Sequence, residues 1–373
     1  MRAAWSSASL LLICAECSLG AATGVRRAPH TARVHASASA VLPPATVGFV
    51  GLGIMGRGQA DNLLARGFGL LVWSRDARKA EALVAAHASG RVRIARSARE
   101  VVAGCELTYA MLSTLEASAA VFEGPDGMLA GVRAGCSIVD CATLTPARMA
   151  EMASAVRARG GSFLEAPVSG SKKPAADGQL IFLAAGDRTA LDAAAPGLDA
   201  MGKATHYYGS DVGVGARARN CAAARLPRLF ASRAPGVRPP LAGTRMKLVV
   251  NMLMCAQLAA LGEAVALCEA AGLDAAELVA VLGEGAMASP MVALKGPAIA
   301  RRAYAPAFPL RHAAKDLKFA LQLGDELGAR GGLGLAAAAC ELFDAAAADG
   351  RADDDFAAVA EASRAAVRPL LMP

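Results

Sequence analysis

Residues 46–67 read T-V-G-F-V-G-L-G-I-M-G-R-G-Q-A-D-N-L-L-A-R-G, and few backbone paths satisfy that string. A short apolar run, Val47 to Val50, meets Gly51-x-Gly53-x-x-Gly56, after which Leu63 and Leu64 point one face of a helix inward. Each glycine has a physical task. Gly51 permits a tight turn, Gly53 leaves room for a ligand phosphate against the backbone, and Gly56 allows helix and strand to pack closely. The helix N-terminus then offers its unpaired amides to an anion. A second apolar run, Leu70 to Trp73, completes a strand–turn–helix–strand unit. The turn therefore predicts a Rossmann α/β domain with a dinucleotide site formed by Gly51, Leu52, Gly53, Ile54, Met55 and Gly56.

The end of the second strand discriminates between cofactors, because an acid there binds the ribose 2′-hydroxyl of NAD and repels a 2′-phosphate. Here it reads Trp73-Ser74-Arg75. The Arg75 guanidinium and the Ser74 hydroxyl suit a 2′-phosphate, which favours NADPH, while Asp76 keeps NADH as the alternative and Arg75 as a solvated loop residue is the plainer reading. The pattern continues through a strand at Leu107–Met111, a loop at Leu112-Ser113-Thr114, a strand at Ser137–Asp140 and a helix opened by Thr145-Pro146. Proline suits the first helical position. Ser113 and Thr143 then fall at the carboxyl edge of the sheet, where such folds bind ligands.

A chain of 373 residues exceeds one typical domain. Its formal charge of +7 is not spread over a surface: residues 1–45 carry +3 and residues 217–244 carry +6, so the remainder is close to −2. With aromatic residues at 4%, this argues against a nucleic-acid partner. The nine cysteines are scattered. Cys14 and Cys17 form a Cys-x-x-Cys inside an apolar stretch with no second ligand pair, which reads as two small apolar residues rather than a metal or redox site.

Residues 1–45 read as an address rather than as fold. An apolar run, Ala8 to Cys14, precedes a stretch rich in Arg, Ser and Ala, and after Glu16 the next acid is Asp61. A two-part plastid presequence is the favoured reading, with a mitochondrial one or an untargeted tail as alternatives.

Beyond the glycine turn, three further stretches carry a resemblance: E-A-P-V-S-G-S-K-K-P-A-A-D-G-Q-L at 165–180, K-L-V-V-N at 247–251 and Y-A-P-A-F-P-L-R-H-A-A-K-D at 304–316. From Val47 to about Val367 the chain resembles the β-hydroxyacid dehydrogenase family, and within it the plant-type glyoxylate/succinic semialdehyde reductases. The resemblance implies a Rossmann domain over 46–212 and an all-helical substrate and oligomerisation domain over 245–373, in the manner of 6-phosphogluconate dehydrogenase. It also implies that Lys247 is the catalytic lysine, with Asn251 one turn further along the same helix face. Ser169 and Gly170 match the family's substrate-carboxylate loop, Phe308 and Asp316 line the site from the helical domain, and Thr143 and Lys315 match cofactor-contacting positions. The implied reaction is NADPH-dependent reduction of a small aldehyde acid such as glyoxylate or succinic semialdehyde. 3-Hydroxyisobutyrate or tartronate-semialdehyde chemistry is the alternative within the family.

After Lys247 the chain stays apolar to Gly272, broken by Asn251, Gln257, Glu263 and Glu269. Those polar positions argue against a membrane span and for a buried helix packed between domains and against a second subunit, hence a homo-oligomer. Further helices are predicted at 274–282, 290–302, 313–328 and 335–347, with Gly328–Gly334 as a loop. The chain departs from the family in two places. Ala142 stands where relatives often carry Ser. A segment of 28 residues, 217–244 or equally 218–245, separates Gly213-Val214-Gly215-Ala216 from Met246-Lys247. Rich in Arg, Ala and Pro and free of acids, it shows no helical or strand period. A translated intron, a surface loop and a lesion leaving a catalytically silent module are the three readings of it.

Overall fold

The computed structural model describes residues 40–87, 90–210 and 242–367. The expected presequence up to residue 39, the Gly213–Ala216 loop and the expected insertion up to residue 241 lie outside the described residues. From the amino end the chain alternates β1 (Thr46–Val50), α1 (Ile54–Ala65), β2 (Gly69–Trp73), α2 (Ala77–Ala86), β3 (Val92–Ile94), α3 (Ala98–Gly104), β4 (Leu107–Ala110), α4 (Leu115–Glu123), β5 (Ser137–Asp140), α5 (Pro146–Ala158) and β6 (Ser162–Glu165). There follow β7 (Val168–Ser169), α6 (Lys172–Ala176), β8 (Leu180–Gly186), α7 (Arg188–Met201) and β9 (Gly202–Tyr207). The helical part holds α8 (Ala242–Ala270), α9 (Ala275–Glu284), α10 (Pro290–Ala300), α11 (Leu310–Glu326), α12 (Gly334–Ala346) and α13 (Ala360–Val367).

The sheet runs β3-β2-β1-β4-β5-β6-β8-β7, with β9 beside β8. Its first six strands are parallel, and β8 turns antiparallel to β6. Neighbouring strand residues face opposite sides. Phe49 and Tyr109 enter a core with Leu63 and Leu64 of α1 and Leu198 of α7, whereas Val50 and Ala110 enter a second core with Val101, Val121 and Met149. The order reverses between β1 and β4, which opens the carboxyl edge beside the glycine turn, as a doubly wound sheet does at its ligand site. Helix starts follow local chemistry: Ser97, Thr114, Thr145 and Ser289 accept backbone amides at the starts of α3, α4, α5 and α10. Such caps stabilise by about 1 kcal/mol each.

Helix α8 spans 29 residues and two environments. Lys247, Asn251, Cys255, Leu258, Gly262 and Val265 are buried at steps of three and four against α11, α12, α13 and β8. The opposite stripe exposes Met246, Val249, Val250, Leu253 and Leu267. Although α8 is long and apolar enough to cross a membrane, its buried stripe is that of a core helix.

Three sequence expectations are corrected. Residues 40–45 belong to the fold rather than to a presequence, because Val41 packs on the core and donates its amide to Ala193 O at 3.1 Å. Helix α11 starts at Leu310 instead of 313, beside Pro309, and ends at Glu326. Most importantly, α8 begins at Ala242, so the helical part starts before 245, and Gly243 and Thr244 are held in the fold by Glu165. A Cβ on Gly243 would lie 2.1 Å from Leu183 O, so this position requires glycine. Gly243-Thr244-Arg245 repeats the form of Gly215-Ala216-Arg217, so a 28-residue segment drawn as 215–242 leaves Gly243 and Thr244 to the helix.

Deleting residues 215–242 joins Val214 to Gly243 and leaves α8 its required glycine. The shortened chain is expected to unfold cooperatively within about 5 °C of the full-length protein when followed by circular dichroism. A product without cooperative unfolding would mean that the segment is part of the folded core.

Candidate active site

The three turn glycines meet the demands read from the sequence. Gly51 has φ +100° and lies so close to β4 that a Cβ would sit 2.3 Å from Met111 O. A Cβ on Gly56 would sit 1.9 Å from Gly51 O, whereas one on Gly53 would meet nothing within 4 Å. The open backbone of Gly53, at the start of α1, faces a cavity of about 260 Å³ that Ile54, Met55, Ser113 and Thr143 also line. Helical geometry leaves the first amides of α1 without intrahelical partners. An open glycine and free amides at a helix start are the donor set that a pyrophosphate fits.

A second cavity of about 270 Å³ shares Met55, Met111, Thr143, Phe308 and Asp316 with the first. Ser169, Gly170 and Ser171 form one wall, and Lys247 and Asn251 another. A wider opening of about 640 Å³, lined by Ser137, Arg157, Ser162 and Asp187, lies at the amino ends of β5 and β6, the edge away from the glycine turn.

A chain of buried polar contacts runs behind the second cavity. Lys247 Nζ donates to Asn251 Oδ1 at 2.7 Å, and Asn251 Nδ2 donates to Asp316 Oδ2 at 2.6 Å. Asp316 Oδ1 lies 2.7 Å from Lys315 Nζ, an ion pair without hydrogen-bond alignment. Lys315 Nζ in turn donates to Thr143 O at 2.6 Å, which ties α11 to the loop after β5. Burial pushes the Lys247 ammonium down to about 8, opposed mainly by the Asp316 carboxylate. A depressed lysine at a cavity wall can give up a proton near neutral pH.

The start of α8 is held from the sheet. Glu165, fully buried at the end of β6, accepts the Gly243 and Thr244 amides at 3.2 and 3.4 Å and the Thr244 hydroxyl at 2.6 Å. A carboxylate at a helix N-terminus satisfies orphan amides and meets the positive end of the dipole. Burial pushes Glu165 up to about 7, against these bonds and Arg245. Lys247 sits one turn beyond this anchor.

The structure thus brings Met55, Thr143, Ser169, Gly170, Lys247, Asn251, Phe308 and Asp316 to one cavity, and Gly53, Ile54, Met55, Gly56, Ser113 and Lys315 to its neighbour. Gly51 and Leu52 lie behind the turn, and Ser74 and Arg75 at the end of β2 line neither cavity. Asp76 is occupied: its carboxylate accepts the Arg78 amide at the start of α2 and the Arg78 guanidinium at 2.9 Å. Ala142 is fully buried in the apolar core beneath the site, not on a cavity wall. Sequence reading passed over Lys79, Arg311 and His312 on the first cavity and Met254, Met291 and Lys295 on the second. Arg311 and His312 stood inside a quoted motif and were within reach of a closer reading. Met254, Met291 and Lys295 carry no local signal, since only helix packing turns them to the cavity.

Residues 46–209 match the model of the NAD-binding domain of 6-phosphogluconate dehydrogenase. Residues 242–363 match that described as NAD-binding of NADP-dependent 3-hydroxyisobutyrate dehydrogenase. The chain belongs to the β-hydroxyacid dehydrogenase family. It is 40% identical over 321 residues to the chloroplastic glyoxylate/succinic semialdehyde reductase 2 of Arabidopsis thaliana, covering 86% of this chain and 80% of that protein. It is 34% identical to the cytokine-like nuclear factor N-PAC of Homo sapiens, over 84% of this chain and 50% of that protein. The crystal structure of 3-hydroxyisobutyrate dehydrogenase from Salmonella typhimurium superimposes with a TM-score of 0.70 at 25% identity, covering 85% of this chain and 99% of that one. This β-hydroxyacid dehydrogenase relative is an oxidoreductase with a nicotinamide-dinucleotide site.

Proposed function

We propose that the chain reduces small carboxylate-bearing aldehydes with NADPH, glyoxylate to glycolate and succinic semialdehyde to 4-hydroxybutyrate. One observation carries the reading: a buried lysine, depressed to about 8, stands on the wall of a small cavity that opens onto the glycine-turn cavity. A nicotinamide cofactor bound along that turn supplies the hydride. The protein's residues do the rest. Ser169, Gly170 and Ser171 hold the substrate carboxylate with hydroxyl and backbone donors and so orient the carbonyl. The Lys247 ammonium stabilises the developing alkoxide and donates a proton to its oxygen, which completes the alcohol. Asn251 fixes the ammonium, and Asp316 fixes Asn251. A cavity of about 270 Å³ lies at the small end for ligand pockets and suits acids of a few carbons. The 3-hydroxyisobutyrate and tartronate-semialdehyde alternative uses the same lysine and loop, and a strong preference for methylmalonate semialdehyde across an aldehyde panel would select it.

NADPH over NADH is supported by Arg75, which is exposed at the end of β2, and by the engagement of Asp76 with Arg78, which takes the one nearby acid away from a ribose hydroxyl. A homo-oligomer is supported by the exposed stripe on α8, where Leu253 is 68% and Leu267 69% exposed. The composition of residues 1–39 and the chloroplastic relative together support a plastid address, which import into isolated plastids reads directly.

Lys247→Ala is expected to lower kcat/KM for aldehyde reduction by about 10²–10⁴-fold while NADPH still binds. In the unmodified protein the ammonium is the proton donor, so the reductive rate falls as pH rises through about 8. A flat profile across that range would reject the lysine as donor. Arg75→Ala should weaken NADPH by about 10–100-fold with little change for NADH; equal losses would remove the argument for NADP. In sedimentation, Leu253→Glu should shift an oligomer towards monomer, and a monomeric unmodified chain would overturn the assembly.

A further inference from the structure

Beyond Lys247 and Asp316, one more charged side chain stands on the wall of the substrate cavity: Lys295 of α10, buried to 7% exposure. Its ammonium contacts Asp355 Oδ1 at 2.8 Å and Oδ2 at 2.9 Å. Asp355, itself 3% exposed, also accepts three backbone amides, from Ala307 at 3.1 Å, Phe308 at 3.2 Å and Ala357 at 3.1 Å. One carboxylate therefore joins α10, the strand-like segment before α11 and the turn before α13. Ala307 O accepts the Lys172 amide at 3.3 Å, so the same segment is tied to the loop after Ser169. The Phe308 ring, on the wall of both cavities, packs edge-on against Phe356 at 5.3 Å, and Lys295 Nζ lies 4.8 Å from the Phe356 centroid.

We propose that Lys295 and Asp355 are positioning residues that set Phe308 between the cofactor and substrate cavities and thereby decide which aldehydes the site accepts. The proposal rests on reading the second cavity as the aldehyde site. A buried ion pair adds little net stability over a well-packed apolar pair, but it holds geometry that an apolar pair would not. Here the geometry is that of two consecutive amides, Ala307 and Phe308, which share one carboxylate oxygen. Without the Lys295 charge the Asp355 carboxylate is left with amides alone and gains by turning to water. That change loosens the Phe308 amide. A shift of Phe308 alters the room for the substrate chain while leaving Lys247, Asn251 and the glycine turn in place. The expected signature is therefore a change in substrate preference.

The test compares Lys295→Met and Lys295→Arg in the full chain, with kcat and KM measured for glyoxylate and succinic semialdehyde alongside NADPH affinity. Lys295→Met is expected to change the kcat/KM ratio of the two aldehydes by about fivefold or more, mainly through KM, and Lys295→Arg to restore most of it. A Phe308→Trp reporter, read without turnover, should shift its emission to longer wavelength when Lys295→Met is added. An unchanged ratio with an unchanged reporter overturns the proposal. So does an equal loss on both aldehydes with a lowered unfolding temperature, which marks a merely structural pair. If the unmodified protein reduces neither aldehyde, the activity reading fails by itself, and the reporter still decides whether Lys295 positions residue 308.

Discussion

The contact on which the rest of this structure depends is the buried run from Lys247 through Asn251 and Asp316 to Lys315 and Thr143. Burying an ammonium costs free energy unless partners meet it; Asn251 of the same helix meets Lys247, Asp316 of α11 meets Asn251, and the sheet loop meets Lys315. The network therefore constrains how α8 and α11 stand against each other and against β5. It also places the lysine where burial weakens its hold on the proton, a shift that the Asp316 carboxylate opposes.

Helix α8 is where the packed core and the cavity wall share residues. Its N-terminus is anchored by Glu165, its buried stripe carries Lys247 and Asn251 above an apolar seam, and its outer stripe is an exposed row of Met, Val and Leu. Because the anchor acts on the first turn and Lys247 lies in the next, any error at the helix start is carried into the site. That is why the glycine at 243 matters: the close approach of Leu183 O leaves no room for a side chain, and the helix can start properly only with that backbone contact in place.

Much of this was legible in the chain. The glycine turn gave the parallel sheet and its ligand edge because tight turns and helix starts are local events governed by backbone freedom. Ser169, Gly170, Lys247, Asn251, Phe308 and Asp316 were placed by resemblance, and they line one cavity. What was misplaced was also physical. The extra segment could be drawn equally as 217–244 or 218–245, and only the close approach of Gly243 to β8 shows that the helix already runs there. Residues 40–45, Ala-Val-Leu-Pro-Pro-Ala, read as the end of the leader because a short apolar run broken by two prolines has no helix or strand period to announce that Val41 packs against the core.

By itself, the sequence determined the dinucleotide turn with its flanking strands and helix, the long apolar helix after Lys247 and the near-neutral charge of the remainder, all of which follow from local propensity, spacing or composition. The tertiary structure alone decided that Asp76 is spent on Arg78, that Ala142 is core, that Glu165 caps a helix 78 residues away, and that Lys295 and Asp355 meet around the Phe308 amide. Those pairings depend on long-range contacts whose loop-closure entropy is offset only when the whole core forms, so no window of sequence contains them.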